Sequence, residues 1–175
     1  METPALDQIR EKLSSSAKDI KLNVSAVFNS EVLSADQIFG VALASSYYLK
    51  DQGLVQALLT DAKFAGVSES IINDAKSAAS LMAMNTVYYR FRHFMNNENY
   101  NSRPARLRMQ AMTAPASGKA NFELFSLAVA ALAGCEMCVK AHEASVVQHG
   151  LSQEHVHECV RIAAVINGLV VSGLI

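Results

Sequence analysis

Two cysteines and one histidine lie close together in the second half of the chain. In the segment Gly134-Cys135-Glu136-Met137-Cys138-Val139-Lys140-Ala141-His142, Cys135 precedes Cys138 by three residues and Cys138 precedes His142 by four. Residues three and four apart are neighbours on a helix, so the three side chains would share one stripe. Thiols beside an imidazole predict nucleophilic or redox sulfur chemistry with a proton carrier at hand.

The glycine at position 134 determines the environment of these thiols. If Gly134 ends the preceding helix, Cys135 and Cys138 occupy the first turn of the next one. Unpaired backbone N–H groups and the positive end of the helix dipole stabilise a thiolate there. The same spacing brings the two sulfurs within reach of a reducible disulfide. The sequence therefore predicts a reactive pair of thiols.

Glu123 is a fourth candidate for the same site. It is the only acidic residue between Gly118 and Gly134, and a charge among apolar neighbours needs a partner or a shifted pKa. On one straight helix Glu123 would lie roughly 18 Å before Cys135 and on a different face. Glu123 can therefore reach the cysteines only if the chain doubles back at Gly134.

Two other interpretations of these residues stay open. Cys135, Cys138 and His142, with His149 or Cys159 as a fourth ligand, supply the ligand types of a zinc site. The two cysteines could also be buried together without any chemistry. A zinc-stabilised or redox-sensing helical binding module is therefore the alternative to an enzyme.

The remaining sulfur, imidazole and guanidinium groups are expected to serve structure. Cys159 lies on the apolar side of the last helix and is expected to pack in the core. Five methionines are expected there too: Met82, Met84, Met95, Met109 and Met112. Four histidines are expected at the surface: His93, His149, His155 and His157. A basic cluster is expected to be solvated or to form salt bridges between subunits, with docking of an acidic partner as the alternative: Arg90, Arg92, Arg103, Arg106 and Arg108.

Composition predicts an all-α fold in a single domain, residues 1–175. The chain has 175 residues, of which 51% are apolar and 7% aromatic, and only 8 Gly and 3 Pro leave little room for the turns of a β-sandwich. A formal net charge of −1 disfavours both disorder and a nucleic-acid-binding surface. No secretory signal is readable at the N-terminus, and the 14-residue apolar run 162–175 is shorter than the ~20 residues of a membrane span. A cytoplasmic protein is expected, with this run in a buried helix or a subunit contact.

Residues typical of helix starts and helix ends occur along most of the chain. Ser34 with Gln37 resembles a capping box, and the Asn-rich stretch 96–102 predicts a loop. Helices are predicted at residues 4–13, 17–28, 35–50, 51–65, 69–95, between Pro104 and Pro115, at 120–133, 135–149 and after Ser152. The loop divides the chain into a cysteine-free scaffold half, 1–95, and a half that carries the CxxC pair, 103–175.

The two halves resemble each other. The segment 66–72 aligns with 150–156, and the same offset places Ala79 on Ala163. The match favours an internal duplication of a helical unit, although a Gly-x-Ser helix boundary also recurs by chance. Only the second copy carries cysteines.

Glu123, followed by Cys135-x-x-Cys138-x-x-x-His142, resembles the alkyl hydroperoxide reductase D (AhpD) family of peroxidases. Segments 17–23, 84–90 and 119–124 also resemble that family, so the resemblance covers essentially the whole chain. It implies an all-helical fold, usually a homotrimer, that reduces small organic hydroperoxides and recycles a partner peroxiredoxin, AhpC. It also implies that no cofactor is bound. Electrons would come from NADH and dihydrolipoamide through a dihydrolipoamide dehydrogenase and a lipoyl-bearing dihydrolipoamide acyltransferase.

The resemblance also implies residue roles. Cys138 would be the attacking thiol that passes through a sulfenic acid, and Cys135 the resolving thiol and proton donor that closes the Cys135–Cys138 disulfide. Glu123 and His142 would form a proton relay. Many members carry His immediately before the second cysteine, whereas this chain has Met137, so relay strength and pH dependence do not carry over. Carboxymuconolactone decarboxylase relatives share the fold but generally lack the CxxC, which disfavours that activity.

Overall fold

A computed structural model describes residues 1–173 and folds them into nine α-helices, with no strand among these residues, which confirms the all-α prediction. The helices are α1 (Pro4–Lys12), α2 (Lys18–Val27), α3 (Ala35–Leu49), α4 (Gln52–Phe64), α5 (Glu69–Met95), α6 (Glu98–Asn101), α7 (Lys119–Leu132), α8 (Glu136–Gln148) and α9 (Gln153–Gly173). The apolar run 162–175 ends outside the described residues.

Local sequence fixes where several helices begin. The Ser34 side chain accepts a hydrogen bond from the backbone N–H of Gln37, and the Gln37 side chain accepts one from the backbone N–H of Ser34. This is the predicted capping box, and it satisfies two N–H groups that the helix itself leaves free. Asp51 caps α4 in the simpler way, by accepting from the N–H of Leu54 at 2.9 Å.

The segment between α5 and α7 differs from the prediction in two respects. The polar stretch 96–102 contains the short helix α6, and the helix predicted between Pro104 and Pro115 is absent. Only a 3₁₀ turn forms there, at Gln110–Met112. Arg106 has a left-handed backbone with φ of 52°, and residues 105–110 alternate between half-buried and exposed. Helical side chains recur about every 3.6 residues, so an alternation with a period of two excludes a helix in this irregular stretch.

The predicted duplication extends to the helix boundaries. Three helices of the first half, α3, α4 and α5, begin at Ala35, Gln52 and Glu69, and α7, α8 and α9 begin at Lys119, Glu136 and Gln153, so one constant offset relates the two trios. Packing follows the same symmetry, since α3 contacts α4, α5 and α9 while α7 contacts α8, α9 and α5. Gln37 even donates to its own counterpart Asn121, 84 positions later, at 3.3 Å.

The core lies where α3 and α7 cross. Gly40 is on α3 and Phe125, which is fully buried, is on α7. A Cβ added to Gly40 would lie 2.2 Å from Cε1 and Cζ of Phe125. The absence of a side chain at position 40 therefore allows the two central helices to approach this closely.

Helix α9 completes the core against α2, α3 and α7. It is the one helix in residues 1–173 that is long and apolar enough to cross a membrane by length and composition alone. Core helices of globular proteins meet the same criterion. Its buried side chains lie on one face at helical spacing: Glu158, Cys159, Ile162, Ala163, Ile166 and Leu169.

Gly40→Ala is expected to destabilise the protein. The methyl group must displace a fully buried aromatic ring, which outweighs the better helix propensity of Ala, so the free energy of unfolding should fall by about 2 kcal/mol or more. Urea unfolding followed by circular dichroism measures the change.

The matched control is Gly53→Ala on α4. A Cβ at Gly53 would come no closer than 3.5 Å to another atom, the Asp51 Oδ1. The same substitution should leave stability unchanged or raise it by up to about 1 kcal/mol, because Ala lowers the entropy of the unfolded chain. Equal effects at the two positions would contradict the importance of the α3–α7 approach.

Candidate active site

The turn at Gly134 brings the four candidate residues together. Helix α7 ends at Leu132, Gly134 adopts a left-handed φ of 65°, and the N–H of Cys135 donates back to Ala130 O at 3.2 Å. Arg90 of α5 holds the turn from outside by donating to Ala133 O. The chain thereby reverses, and α8 packs along α7. This is the reversal that the sequence required for Glu123 to reach the cysteines.

Cys135 and Cys138 lie at the start of α8. Cys135 is its N-cap residue and Cys138 lies in the first turn, and their sulfurs are joined in a disulfide with a Cα–Cα distance of 5.3 Å. Both residues are buried, Cys138 slightly less so, at 7% exposed against 1%. A thiolate released here on reduction would face the free N–H groups of the helix N-terminus.

His142, one turn further along α8, pairs with Glu123 of α7. His142 Nδ1 lies 2.6 Å from Glu123 Oε2, and both side chains are buried. On its other side, His142 Nε2 lies 3.1 Å from the sulfur of Met82 on α5. A carboxylate and a thioether sulfur both accept hydrogen bonds, so both ring nitrogens are satisfied when each carries a proton. The pair can therefore store and deliver a proton inside the protein.

Lys119 completes the environment of Glu123. Its Nζ lies 2.7 Å from Glu123 Oε1, one helical turn away on α7, and also donates to Met112 O at 2.7 Å. Burial raises the pKa of Glu123, but the hydrogen bonds and positive charges of His142 and Lys119 outweigh this and lower it to about 2. Glu123 is therefore a carboxylate at neutral pH. Lys119 is not among the residues predicted from the sequence, although its i,i+4 spacing from Glu123 is a readable signal.

A cavity of about 330 Å³ opens beside Cys138 and His142. Its other lining residues are mostly apolar: Met82, Asn85, Tyr89, Met109, Met112, Met137 and Ala141. The expectation that the methionines are core residues holds for Met82 alone. Met84, Met109 and Met112 are half-buried and Met95 is exposed. No sequence pattern places Met109 and Met112 beside Cys138, because they lie on the irregular segment that replaces the predicted helix.

The other candidates lie outside the site. Cys159 is fully buried and its thiol donates to Leu124 O, and burial raises the pKa of that thiol far above its ordinary value. His149 is exposed at the far end of α8. Across residues 1–173 no three His, Cys, Asp or Glu side chains group as metal ligands, so the zinc hypothesis gains no geometric support.

The basic cluster is largely engaged in structure. Arg90 donates to Ala133 O, as described, and Arg92 and Arg103 donate to Asn101 O and Asn99 O in and around α6. These guanidinium groups satisfy carbonyls that helix ends leave free. The cluster therefore ties the segment after α5 to the fold, in addition to presenting positive charge to solvent.

Comparison with known proteins agrees with this geometry. Residues 99–171 match the model of the carboxymuconolactone decarboxylase family. A protein named alkyl hydroperoxide reductase AhpD from Anaeromyxobacter dehalogenans is 51% identical over 168 residues, which is 96% of this chain and 90% of the relative. The chain belongs to the AhpD family. A protein of the same name from Coxiella burnetii is 41% identical over 167 residues, or 94% of each chain. The AhpD resemblance stated from the sequence is thus confirmed over nearly the whole chain.

Glu123→Gln is expected to lower stability in a pH-dependent way. The pKa of Glu123 is depressed in the folded state, so its stabilising contribution is complete above the ordinary value of 4.5 and is lost as pH falls toward about 2. At pH 7 the variant should lose about 3 kcal/mol of unfolding free energy, because a buried ion pair loses one partner. Urea titrations between pH 7 and pH 3 should show the difference from the wild type shrinking.

Glu136→Gln on the neighbouring helix is the control. Glu136 pairs with Lys140 at 2.5 Å, but both side chains are exposed, so water screens the pair. No measurable loss is expected at any pH. A Glu123→Gln deficit that stays constant from pH 7 to pH 3 would show that the buried charge is not its cause.

Proposed function

We propose that this protein is a thiol peroxidase and disulfide reductase that reduces alkyl hydroperoxides through Cys135 and Cys138. The observation that carries the proposal is the shared cavity. Cys138, at a helix N-terminus, and His142, hydrogen-bonded to the ionised Glu123, line the same apolar space. The name of the relatives, alkyl hydroperoxide reductase, supports the choice of substrate.

Peroxide reduction begins from the reduced protein. The Cys138 thiolate attacks the terminal oxygen of the hydroperoxide, the O–O bond breaks, and the thiol becomes a sulfenic acid. The leaving alkoxide takes a proton from the Glu123–His142 pair and departs as an alcohol. The sulfur loses the two electrons that the peroxide gains.

Cys135 then restores a stable state. Its thiol attacks Cys138 Sγ, water leaves with the sulfenic oxygen, and the disulfide forms. The Cα–Cα distance of 5.3 Å already suits this bond. An external dithiol closes the cycle by transferring two electrons and two protons, which regenerates both cysteines as thiols.

We further propose the partners that the family resemblance implies. Reduced Cys138 would attack the disulfide of the peroxiredoxin AhpC and regenerate it, with Cys135 resolving the mixed disulfide. Dihydrolipoamide on its acyltransferase would reduce the Cys135–Cys138 disulfide, with NADH as the source of electrons through the dihydrolipoamide dehydrogenase. The same resemblance supports a homotrimer in the cytoplasm, with no cofactor bound to the chain itself.

A redox-sensing module without peroxidase activity is the second candidate. It is favoured by the low exposure of the disulfide, because both cysteines are more than nine-tenths buried. The two candidate functions differ in turnover. A sensor is oxidised once and stays in the disulfide form, whereas a peroxidase consumes hydroperoxide continuously when a dithiol is supplied.

Cys138→Ser should abolish hydroperoxide consumption in an assay driven by dithiothreitol or dihydrolipoamide. Cys135→Ser should also stop multiple turnover but still form one sulfenic acid per chain, which dimedone labelling detects. Cys159→Ala is the control, because that thiol lies outside the site and activity should be retained. Unchanged turnover in Cys138→Ser would refute the peroxidase proposal, and a wild type that is oxidised once without turnover would favour the sensor.

Lys119→Met should shift the acid limb of peroxidase activity to higher pH. Lys119 is one of the groups that lower the pKa of Glu123, so its removal raises that pKa and the carboxyl protonates earlier as the pH falls. Turnover measured from pH 3 to pH 8 should fall on the acid side for Lys119→Met at a pH where the wild type, with the pKa of Glu123 at about 2, is still active, and Lys119→Arg, which keeps the charge, should resemble the wild type. Superimposable pH profiles for Lys119→Met and the wild type would contradict this role.

A further inference from the structure

Asn85 is a buried amide in the wall of the cavity. It lies on α5, is 4% exposed, and lines the same space as Cys138 and His142. Its Nδ2 group points at the sulfur of Met109 at 3.1 Å and at the sulfur of Met112 at 3.8 Å. Its Oδ1 atom is buried and has no hydrogen-bond partner among the described residues.

The chemistry of the neighbours fixes which end of the amide is unpaired. A thioether sulfur carries no hydrogen and can only accept, so the NH₂ group belongs beside Met109 and Met112. The opposite orientation would place the amide oxygen against two other acceptors. Oδ1 is therefore the atom of the amide that has no hydrogen-bond partner among the described residues. A buried carbonyl oxygen without a donor from the chain is uncommon and costs stability, so Oδ1 is a free acceptor for a donor that enters the cavity.

We propose that Asn85 is a substrate-binding residue, whose Oδ1 accepts a hydrogen bond from the terminal O–H of an organic hydroperoxide. The inference rests on the proposed peroxidase function and names the contact that positions the substrate. The terminal O–H is the only hydrogen-bond donor of a simple alkyl hydroperoxide, and the terminal oxygen is the one that Cys138 attacks. One hydrogen bond thus both holds the substrate and places its reacting atom beside the sulfur.

The methionines determine which hydroperoxides fit. Met82, Met109, Met112 and Met137 give the cavity an apolar wall that suits an alkyl or aryl group rather than a charged one. Met109 and Met112 contact the amide nitrogen of Asn85, at the edge of the space that the substrate would enter. Their unbranched side chains rotate at low cost, so they can rearrange to fit the organic part of the substrate.

The test compares two reagents on the reduced protein in single-turnover stopped flow. Cumene hydroperoxide carries an O–H donor, whereas methyl methanethiosulfonate reacts with the same thiolate and has no donor hydrogen. Asn85→Leu, which keeps the volume and removes the acceptor, should slow the reaction with cumene hydroperoxide roughly 10- to 100-fold, the effect of losing one buried hydrogen bond. The rate with methyl methanethiosulfonate should stay within about twofold of the wild-type rate.

Two further variants test whether misfolding, and not the loss of the acceptor, explains a slower reaction. Asn85→Ser keeps a hydroxyl acceptor and should retain more hydroperoxide reactivity than Asn85→Leu, and Met84→Leu, next to it on α5 but outside the cavity lining, should behave like the wild type. Equal slowing with both reagents, or no slowing with either, would overturn the role of Asn85. A reduced wild type that reacts with methyl methanethiosulfonate but not with cumene hydroperoxide would instead overturn the peroxidase function itself.

Discussion

The buried carboxylate of Glu123 constrains the rest of the site. An isolated carboxylate in an apolar interior is too costly to remain charged, so the fold must supply partners for both oxygens. Lys119 contacts Oε1 from the same helix, and His142 contacts Oε2 from α8. The second contact exists only if α8 runs back along α7 at one particular register. The reversal at Gly134 and the position of Cys138 in the first turn of α8 both follow from that register.

The duplication shows how such a site arises on an ordinary helical core. In the first copy, the positions equivalent to Glu123, Cys138 and His142 hold Phe39, Leu54 and Leu58, all of which are buried. In the opposite direction, Met82 and Asn85 correspond to Ile166 and Leu169 of the second copy, also buried. In the first copy, apolar side chains therefore fill the space around α4. Around α8 the apolar side chains are exchanged for a carboxylate, a thiol, an imidazole and an amide, and a cavity remains.

The site draws on both copies. Helices α7 and α8 of the second copy carry the Glu123–His142 pair and the two cysteines, whereas α5 of the first supplies Met82, Asn85 and Arg90. The remaining wall comes from Met109 and Met112 on the segment that links the copies. Lys119 joins this segment to the buried pair, because it contacts both Met112 O and Glu123. The cysteine-free half is thus more than a scaffold, because it forms the side of the cavity that faces Cys138.

The sequence by itself determined the fold class, the capping box at Ser34 and the constant offset between the two halves. It also named four candidate residues, Cys135, Cys138, His142 and Glu123, which the structure brings into two contacting pairs. These features are local or periodic: a spacing of three and four places side chains on one helix face, and a capping residue acts within one turn. The i,i+4 pair of Lys119 with Glu123 was equally local and was missed.

Only the tertiary structure decided which distant groups meet the site. Asn85, Met109 and Met112 reach the cavity through packing between α5 and an irregular segment, where neither helical nor strand periodicity guides prediction. The irregular course of residues 105–110, which includes the left-handed backbone of Arg106, likewise replaces the helix that the sequence predicts there. Contacts between distant segments produce no regular spacing of residues in the sequence. The cysteine pair could therefore be found from residue spacing, whereas the cavity beside it could not.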